Sequence, residues 1–395
     1  MIEDGGITRE EFKERIRRCV SRMEESNIDL LIAYGDAAHP DNLVYLANYT
    51  PICMDMPGYG GYNGLFLLTR KGEATLIIDR DWQVPFAREW SWVEEILYGV
   101  QGDVLGVLGD LIRKRGWKGS RVELDSTFIP ARFYRSMMEV LKDNPVDEKS
   151  RIVGRLREIK SNKEVELMTR GLEILAKAHQ RALAVAKEGI SEIDVATEVR
   201  GTIMAEGADF ATALFVDAGR RSTIPLANPM ASPYRIQKGD MVLVSIFCVY
   251  KNYNAGMDRA WVLGEPSTQQ RKLAEIELKT HERAVSLVRP GARTADFMGP
   301  VYYDYAAPML KEAGITEYNI NGYVGHGIGV KIYEPPVLWR LEDNVLKPGM
   351  VIDVEPGIYA RDPKIGGLRT SSIVLVTEGG CKALETYPKR IGSLA

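Results

Sequence analysis

Gly349-Met350-Val351-Ile352-Asp353-Val354-Glu355-Pro356-Gly357-Ile358-Tyr359 reads as a buried strand that runs into a turn. The apolar run is interrupted by Asp353, and Pro356-Gly357 ends it. Alternate residues of a strand share a face, so Asp353 and Glu355 point the same way. Two carboxylates among apolar neighbours are costly unless they are paired, protonated or liganded. The competing reading is an exposed edge strand with one solvated face. Glu355, set against the Pro-Gly turn, reads as functional. Asp353 stays open between the two readings.

A second signal lies upstream, in Gly325-His326-Gly327-Ile328-Gly329. Flanking glycines permit close backbone approach and special torsions, which suits a displayed rather than a packed histidine. The other three histidines carry less. His179 and His281 lie inside charge-rich helical patterns and read as ordinary surface or packing residues, and His39 precedes a proline in a loop.

The pattern around these phrases is that of two domains. Thr8-Arg9-Glu10-Glu11 opens a helix whose apolar face is Phe12, Ile16 and Val20. Leu30–Ala33 reads as a buried strand, and Leu65–Leu68 with Ala74–Ile78 as a hairpin. Helices follow at about 104–115 and up to about 141, with a short strand at 121–124 between them. Ser161-Asn162-Lys163-Glu164 and Ser191-Glu192-Ile193-Asp194 open two further helices. Strands at about 240–263 and 350–377 enter through similar phrases, Lys238-Gly239-Asp240-Met241-Val242 and Lys347-Pro348-Gly349-Met350-Val351. Charged residues crowd together near 147–163, which places the boundary at 155: an α/β domain over 1–154 and an α+β domain over 155–395.

Composition narrows the function classes. The 395 residues carry 51 Lys plus Arg against 54 Asp plus Glu, a formal charge of −3. No electropositive field exists to hold nucleic acid or an anionic membrane. The longest apolar run, 241–250, is too short for a bilayer that needs ~20 residues. Four cysteines without close pairing suggest free thiols in a reducing cytosol, and the acidic opening MIEDGGITREEF does not read as a secretory leader. A cytoplasmic enzyme or binding protein for a small molecule is expected.

These phrases together resemble the pita-bread family of Xaa-Pro aminopeptidases, prolidases and creatinases. Glu158-Ile159-Lys160-Ser161, G-H-G-I-G, E-P-P, L-K-P-G-M-V and E-P-G-I-Y stand in the family's order. The resemblance implies a creatinase/prolidase-type N-terminal domain followed by a pita-bread catalytic-type domain. The family's peptidases hold two metal ions with two Asp, one His and two Glu. His326 and Glu355 match two of those five places, whereas Ser245, Gly256 and Ser371 stand at the other three. One imidazole and one carboxylate do not make a dinuclear site. The resemblance therefore points to the metal-independent creatinase and ectoine hydrolase branch, which carries an acid beside the arginine, as Asp258 lies before Arg259. On that reading no cofactor or metal is used, and the chain hydrolyses a C–N bond in a small polar nitrogen compound. His326 would be the acid–base, with Glu355 and Asp258 orienting the substrate's nitrogen groups. Tyr333 would donate to the developing oxyanion, and Arg369 would anchor a carboxylate. Asp55 and Tyr59, from a first-domain loop of a homodimer partner, would favour a cationic or neutral amine. Two alternatives stand beside it: a degenerate peptidase homologue that binds peptides or ligands, and a peptidase with a rearranged metal site using Asp258, Asp353, Glu355 and His326.

Overall fold

The computed structural model describes residues 5–52 and 62–394. The chain forms two compact units, Met1–Arg157 and Glu158–Ala395.

In the first unit, Thr8 caps the helix Arg9–Glu25, its hydroxyl accepting from the Glu11 amide at 3.2 Å. Six strands follow: β1 (Leu30–Asp36), β2 (Asn63–Thr69), β3 (Ala74–Ile78), β4 (Glu95–Tyr98), β5 (Val122–Leu124) and β6 (Val146–Asp147). They pair in the order β4-β3-β2-β1-β5-β6, antiparallel around the β2–β3 hairpin and parallel at both edges. Alternate residues Leu30, Ile32 and Tyr34 of β1, with Leu65 and Leu67 of β2, face one core. Leu108, Leu111 and Ile112 of the helix Val104–Lys114 close it. This is the expected α/β domain. Asp55 and Tyr59 lie outside the described residues.

The second unit opens with the helix Asn162–Val185, capped reciprocally by Ser161 and Glu164. A meander follows: β7 (Phe210–Ala218), β8 (Met241–Tyr250) and β9 (Tyr253–Val262). β8 and β9 are buried along almost their whole length; β8 reads as a nearly continuous apolar run, whereas β9 carries Asn254, Asp258 and Arg259 into the interior. The remaining strands are β10 (Tyr318–Ile320), β11 (Gly325–Gly327), β12 (Glu334–Val337), β13 (Val351–Val354), β14 (Gly357–Ala360), β15 (Gly367–Arg369), β16 (Ser372–Thr377) and β17 (Gly380–Ala383). They make a five-stranded sheet, β12-β11-β13-β16-β17, and a three-stranded one, β10-β14-β15.

Pro356-Gly357 is where the chain leaves β13 of the larger sheet and enters β14 of the smaller. Two apolar clusters hold these sheets in place. Met241, Leu243, Ala260 and Val262 pack with Ile358 and Leu368, and Ile352, Val354 and Val374 pack with Phe297 and Tyr302. Each such side chain contributes roughly 1.5–3 kcal/mol when fully buried, so the passage from β13 to β14 is tightly fixed. Glu355 sits on that passage.

Candidate active site

β11 pairs antiparallel with β13, and His326 stands directly opposite Asp353. The glycines around His326 are required by close approach. A Cβ at Gly325 would lie 2.3 Å from the Asp353 carbonyl oxygen, and one at Gly327 would lie 2.5 Å from that of Pro335. Neither has a positive φ, so torsional freedom is not the reason. The His326 Nδ1 lies 2.8 Å from the Gly327 carbonyl oxygen. A carbonyl can only accept, so Nδ1 carries the proton and Nε2 presents a lone pair when the ring is neutral. That Nε2 is 3.1 Å from Glu355 Oε1. Two electron-rich atoms this close call for a cation between them, a proton or a metal ion.

His326, Asp353 and Glu355 are all fully buried, and their ligand-capable atoms lie within 4.8 Å of one another. Both carboxylate oxygens of Asp353 lack a hydrogen-bond partner. Burial raises the Asp353 pKa well above the ordinary carboxylate range, and the charges of Glu355 and Asp258 push the same way. Burial would raise Glu355 too, but Arg369, His326 and Tyr323 more than offset it and hold the acid at about 2. The Tyr323 hydroxyl donates to Glu355 Oε1 at 3.0 Å and lies 3.1 Å from the Tyr333 hydroxyl. Because the Tyr323 proton goes to the carboxylate, Tyr333 is the donor in that second bond. The Tyr333 ring lies over His326 with centroids 4.0 Å apart, and about half of Tyr333 is exposed.

Arg369, at the end of β15, is 1% exposed. Its Nε is 3.0 Å from Asp258 Oδ2, and its Nη1 is 3.2 Å from Glu355 Oε2. Its Nη2 donates to Asp258 Oδ1 at 3.1 Å and to the Ser245 hydroxyl. Ser245 stands opposite Asp258 in the β8–β9 pairing and donates to its carboxylate. The Asp258 amide donates to the Ser371 hydroxyl at 2.9 Å. Burial pushes Asp258 up to about 6 against the pull of Arg369.

The fold thus gathers His326, Glu355, Asp258, Arg369 and Tyr333 into one place, and adds Asp353 and Tyr323. Tyr323 was missed because a tyrosine among Asn321, Gly322 and Val324 carries no motif; its adjacency to the histidine phrase was the available hint. Gly256 explains how Asp353 fits. A Cβ there would lie 2.9 Å from Asp353 Oδ2 and 2.3 Å from the Phe247 ring. The Asp353 carboxylate and Phe247 fill the space that a side chain at 256 would occupy.

Residues 166–378 match the model of metallopeptidase family M24, and residues 15–159 match the creatinase/prolidase N-terminal domain. The chain belongs to metallopeptidase family M24. An Xaa-Pro dipeptidase of Pyrococcus furiosus is 31% identical to this M24 chain over 374 residues, covering 94% of it and 98% of the relative. Among solved structures, the prolidase of Pyrococcus horikoshii OT3 matches with a TM-score of 0.79 at 26% identity, covering 95% of this chain and 99% of that one. An Xaa-Pro dipeptidase from Bacillus anthracis matches with a TM-score of 0.81 at 27% identity, covering 96% and 99%. The pita-bread fold read from the sequence is therefore the observed one, with the same two-domain architecture as these prolidases.

The expectation of a metal-independent, creatinase-like C–N hydrolase is overturned. The relatives are Xaa-Pro dipeptidases of a metallopeptidase family, and His326, Asp353 and Glu355 form a cluster able to hold an ion. There is also a physical reason. Asp258 and Glu355, expected to orient a substrate's nitrogen groups, already pair with the chain's own Arg369 guanidinium. The same pairing engages Arg369, which was expected to anchor a substrate carboxylate. Among the family's metal-ligand places the donors present do not fit two ions. The cluster of one imidazole and two carboxylates, with the orphaned Asp353 oxygens, fits one.

Proposed function

We propose that this M24 chain is a metal-dependent peptidase acting on short peptides, of the Xaa-Pro dipeptidase kind, with its ion held by His326, Asp353 and Glu355. The observation that carries this reading is the pair of buried, unpartnered Asp353 oxygens beside the His326 lone pair and Glu355. The Xaa-Pro dipeptidase relative at 31% identity across nearly the whole chain supports the substrate class. An imidazole with two carboxylates suits Mn²⁺, Zn²⁺, Co²⁺ or Fe²⁺.

When bound, the ion supplies Lewis acidity toward a peptide carbonyl and makes water a competent nucleophile near neutral pH. The chain's residues do the positioning. The Gly327 carbonyl fixes the His326 tautomer, so that Nε2 faces the cluster. Tyr323 holds the Glu355 carboxylate by its Oε1, and Tyr333 donates to Tyr323, making a directional chain of hydroxyls from the half-exposed rim to the buried acid. With its proton committed inward, Tyr333 turns lone pairs outward and can accept from a substrate N–H. What the chain shares with the metal-independent branch is Asp258 beside Arg259; here that acid serves as the partner of Arg369.

The substrate is taken to be a small peptide and the assembly a homodimer, the commonest symmetric oligomer, which light scattering would check. Cys19, Cys248 and Cys381 are free thiols, which fits a reducing compartment such as the cytoplasm. No helix among the described residues is long and apolar enough to cross a membrane.

The test is hydrolysis of a panel of Xaa-Pro dipeptides by chelator-stripped protein, before and after reloading with Mn²⁺, Co²⁺ or Zn²⁺. Turnover restored by an ion is expected. Protein that binds the ion yet cleaves no Xaa-Pro or other dipeptide would remove the reading.

A further inference from the structure

We infer that the guanidinium of Arg369 is a permanent second cation of this site, so that the centre takes one divalent ion rather than two. The inference rests on the reading that His326, Asp353 and Glu355 hold an ion.

Glu355 is the hinge of the argument, because its two oxygens face different cation positions. Oε1 lies 3.1 Å from His326 Nε2, on the side of the Asp353 carboxylate, whereas Oε2 lies 3.2 Å from Arg369 Nη1. The guanidinium therefore fills the space between Glu355, Asp258 and Ser245. Two of those three, Ser245 and Glu355, are places where the family resemblance puts a metal ligand. Arginine stays protonated at any working pH, so this positive charge is fixed.

The hydroxyls on this side are neutral and already engaged, and they supply none of the anionic oxygens that a second divalent ion would need. Ser245 donates to Asp258 and accepts from Arg369, and Ser371 accepts from the Asp258 amide. The charges agree. With an ion bound the three carboxyls of Asp258, Asp353 and Glu355 are ionised; Arg369 offsets one charge, and one divalent ion offsets the other two. Arg259, buried beside Asp258, adds a further positive charge on this side, which opposes a second divalent ion as well. Glu277 pairs with Arg390 and Glu385 with Lys389, while Arg259 spends its N–H groups on the carbonyls of Asp258, Ser371, Tyr387 and Pro388. A second divalent ion beside the guanidinium would leave excess positive charge in a fully buried cluster, which low dielectric opposes strongly.

The experiment is a count. Full-length protein is stripped with a chelator, reloaded with Mn²⁺ or Zn²⁺ alone, freed of excess, and assayed for ions per chain by elemental analysis and calorimetric titration. One ion per chain is expected for the unaltered protein and for Arg369→Lys, which keeps the charge. Two are expected for Arg369→Met, with the second lost again when Asp258→Asn is added. Two ions in the unaltered protein would overturn the inference and leave the peptidase reading in place. No ion at all would remove the ion-holding reading beneath it. A folded Arg369→Met protein that still takes one ion would also overturn it. If Arg369→Met does not fold, as judged by circular dichroism, the counts for the unaltered protein and Arg369→Lys decide: one ion in both supports the inference, and two in either refutes it.

Discussion

His326 and Asp353 are direct cross-strand partners in the β11–β13 pairing, and their side chains leave the sheet on the same face. This places an imidazole lone pair and two unpartnered carboxylate oxygens in one buried pocket. An arrangement that is unfavourable when empty of cations is what a metal site requires, since the ion removes the repulsion that its absence exposes.

Asp353→Asn is expected to weaken divalent-ion affinity by at least about a hundredfold, because it removes a ligand charge and not merely a supporting bond. Without metal, the same variant should melt above the parent protein, since an amide does not carry the burial penalty of an unpaired carboxylate. Calorimetric titration and thermal melts of both metal-free proteins check the two halves separately. A metal-free variant that melts lower would show that Asp353 is structural.

Tyr323→Phe removes the hydroxyl that donates to Glu355 Oε1. A hydrogen bond to a charged group contributes about 1.5–3 kcal/mol, so kcat is expected to fall roughly 10- to 100-fold. Tyr333→Phe, one bond further from the carboxylate, should cost less. Steady-state kinetics on a cleaved dipeptide, with melting temperatures as the control for folding, gives the comparison.

Lys160 and Glu334 form an ion pair at 3.1 Å with side chains 1% and 2% exposed. Glu334 also accepts from the Lys331 amide at 3.0 Å, so the pair fixes the segment that carries Tyr333. Lys160→Met removes the buried ammonium that Glu334 pairs with at 3.1 Å and is expected to cost about 3–5 kcal/mol. Denaturant unfolding measures it; replacing both partners by apolar residues should recover most of the loss.

Glu123 in β5 is 1% exposed and accepts from the Ile152 amide at 3.1 Å. Burial raises its pKa from 4.5 to about 8. The folded state therefore holds a proton that the unfolded chain has released, and this contribution to stability falls as pH rises from 4.5 through about 8. A shift of this size is worth on the order of a few kcal/mol. Glu123→Gln should flatten that part of the pH–stability curve, with the variant gaining on the parent as pH rises. Melts of both proteins between pH 5 and pH 9 (roughly the window set by linkage) test it; parallel curves would contradict it.

Much of this was legible from local residues. The caps at Thr8, Ser161 and Ser191 mark helix starts because a side-chain acceptor must satisfy the first free amides. The alternation that puts Asp353 and Glu355 on one face follows from strand geometry alone, and the structure brings both to His326. The substitutions at Ser245, Gly256 and Ser371 were equally plain.

The error came from ranking the count of ligands at inherited places above the rearranged set with Asp353, which stood only as an alternative. With three of five lost, a metal-free site followed, although an acid on another strand can enter the same space.

The sequence by itself determined the pita-bread fold through its resemblance to a known family, and it determined the strand-turn that carries Glu355 and the glycine-flanked histidine through neighbours along the chain. Tertiary structure decided what those residues surround. Asp353 occupies the room left at Gly256, and the Arg369 guanidinium lies between Asp258 and Glu355. Both facts depend on separations of about three ångströms, the reach of a hydrogen bond or ligand, between strands β9, β11, β13 and β15. No spacing along the chain encodes them, because they exist only once the three sheets have packed.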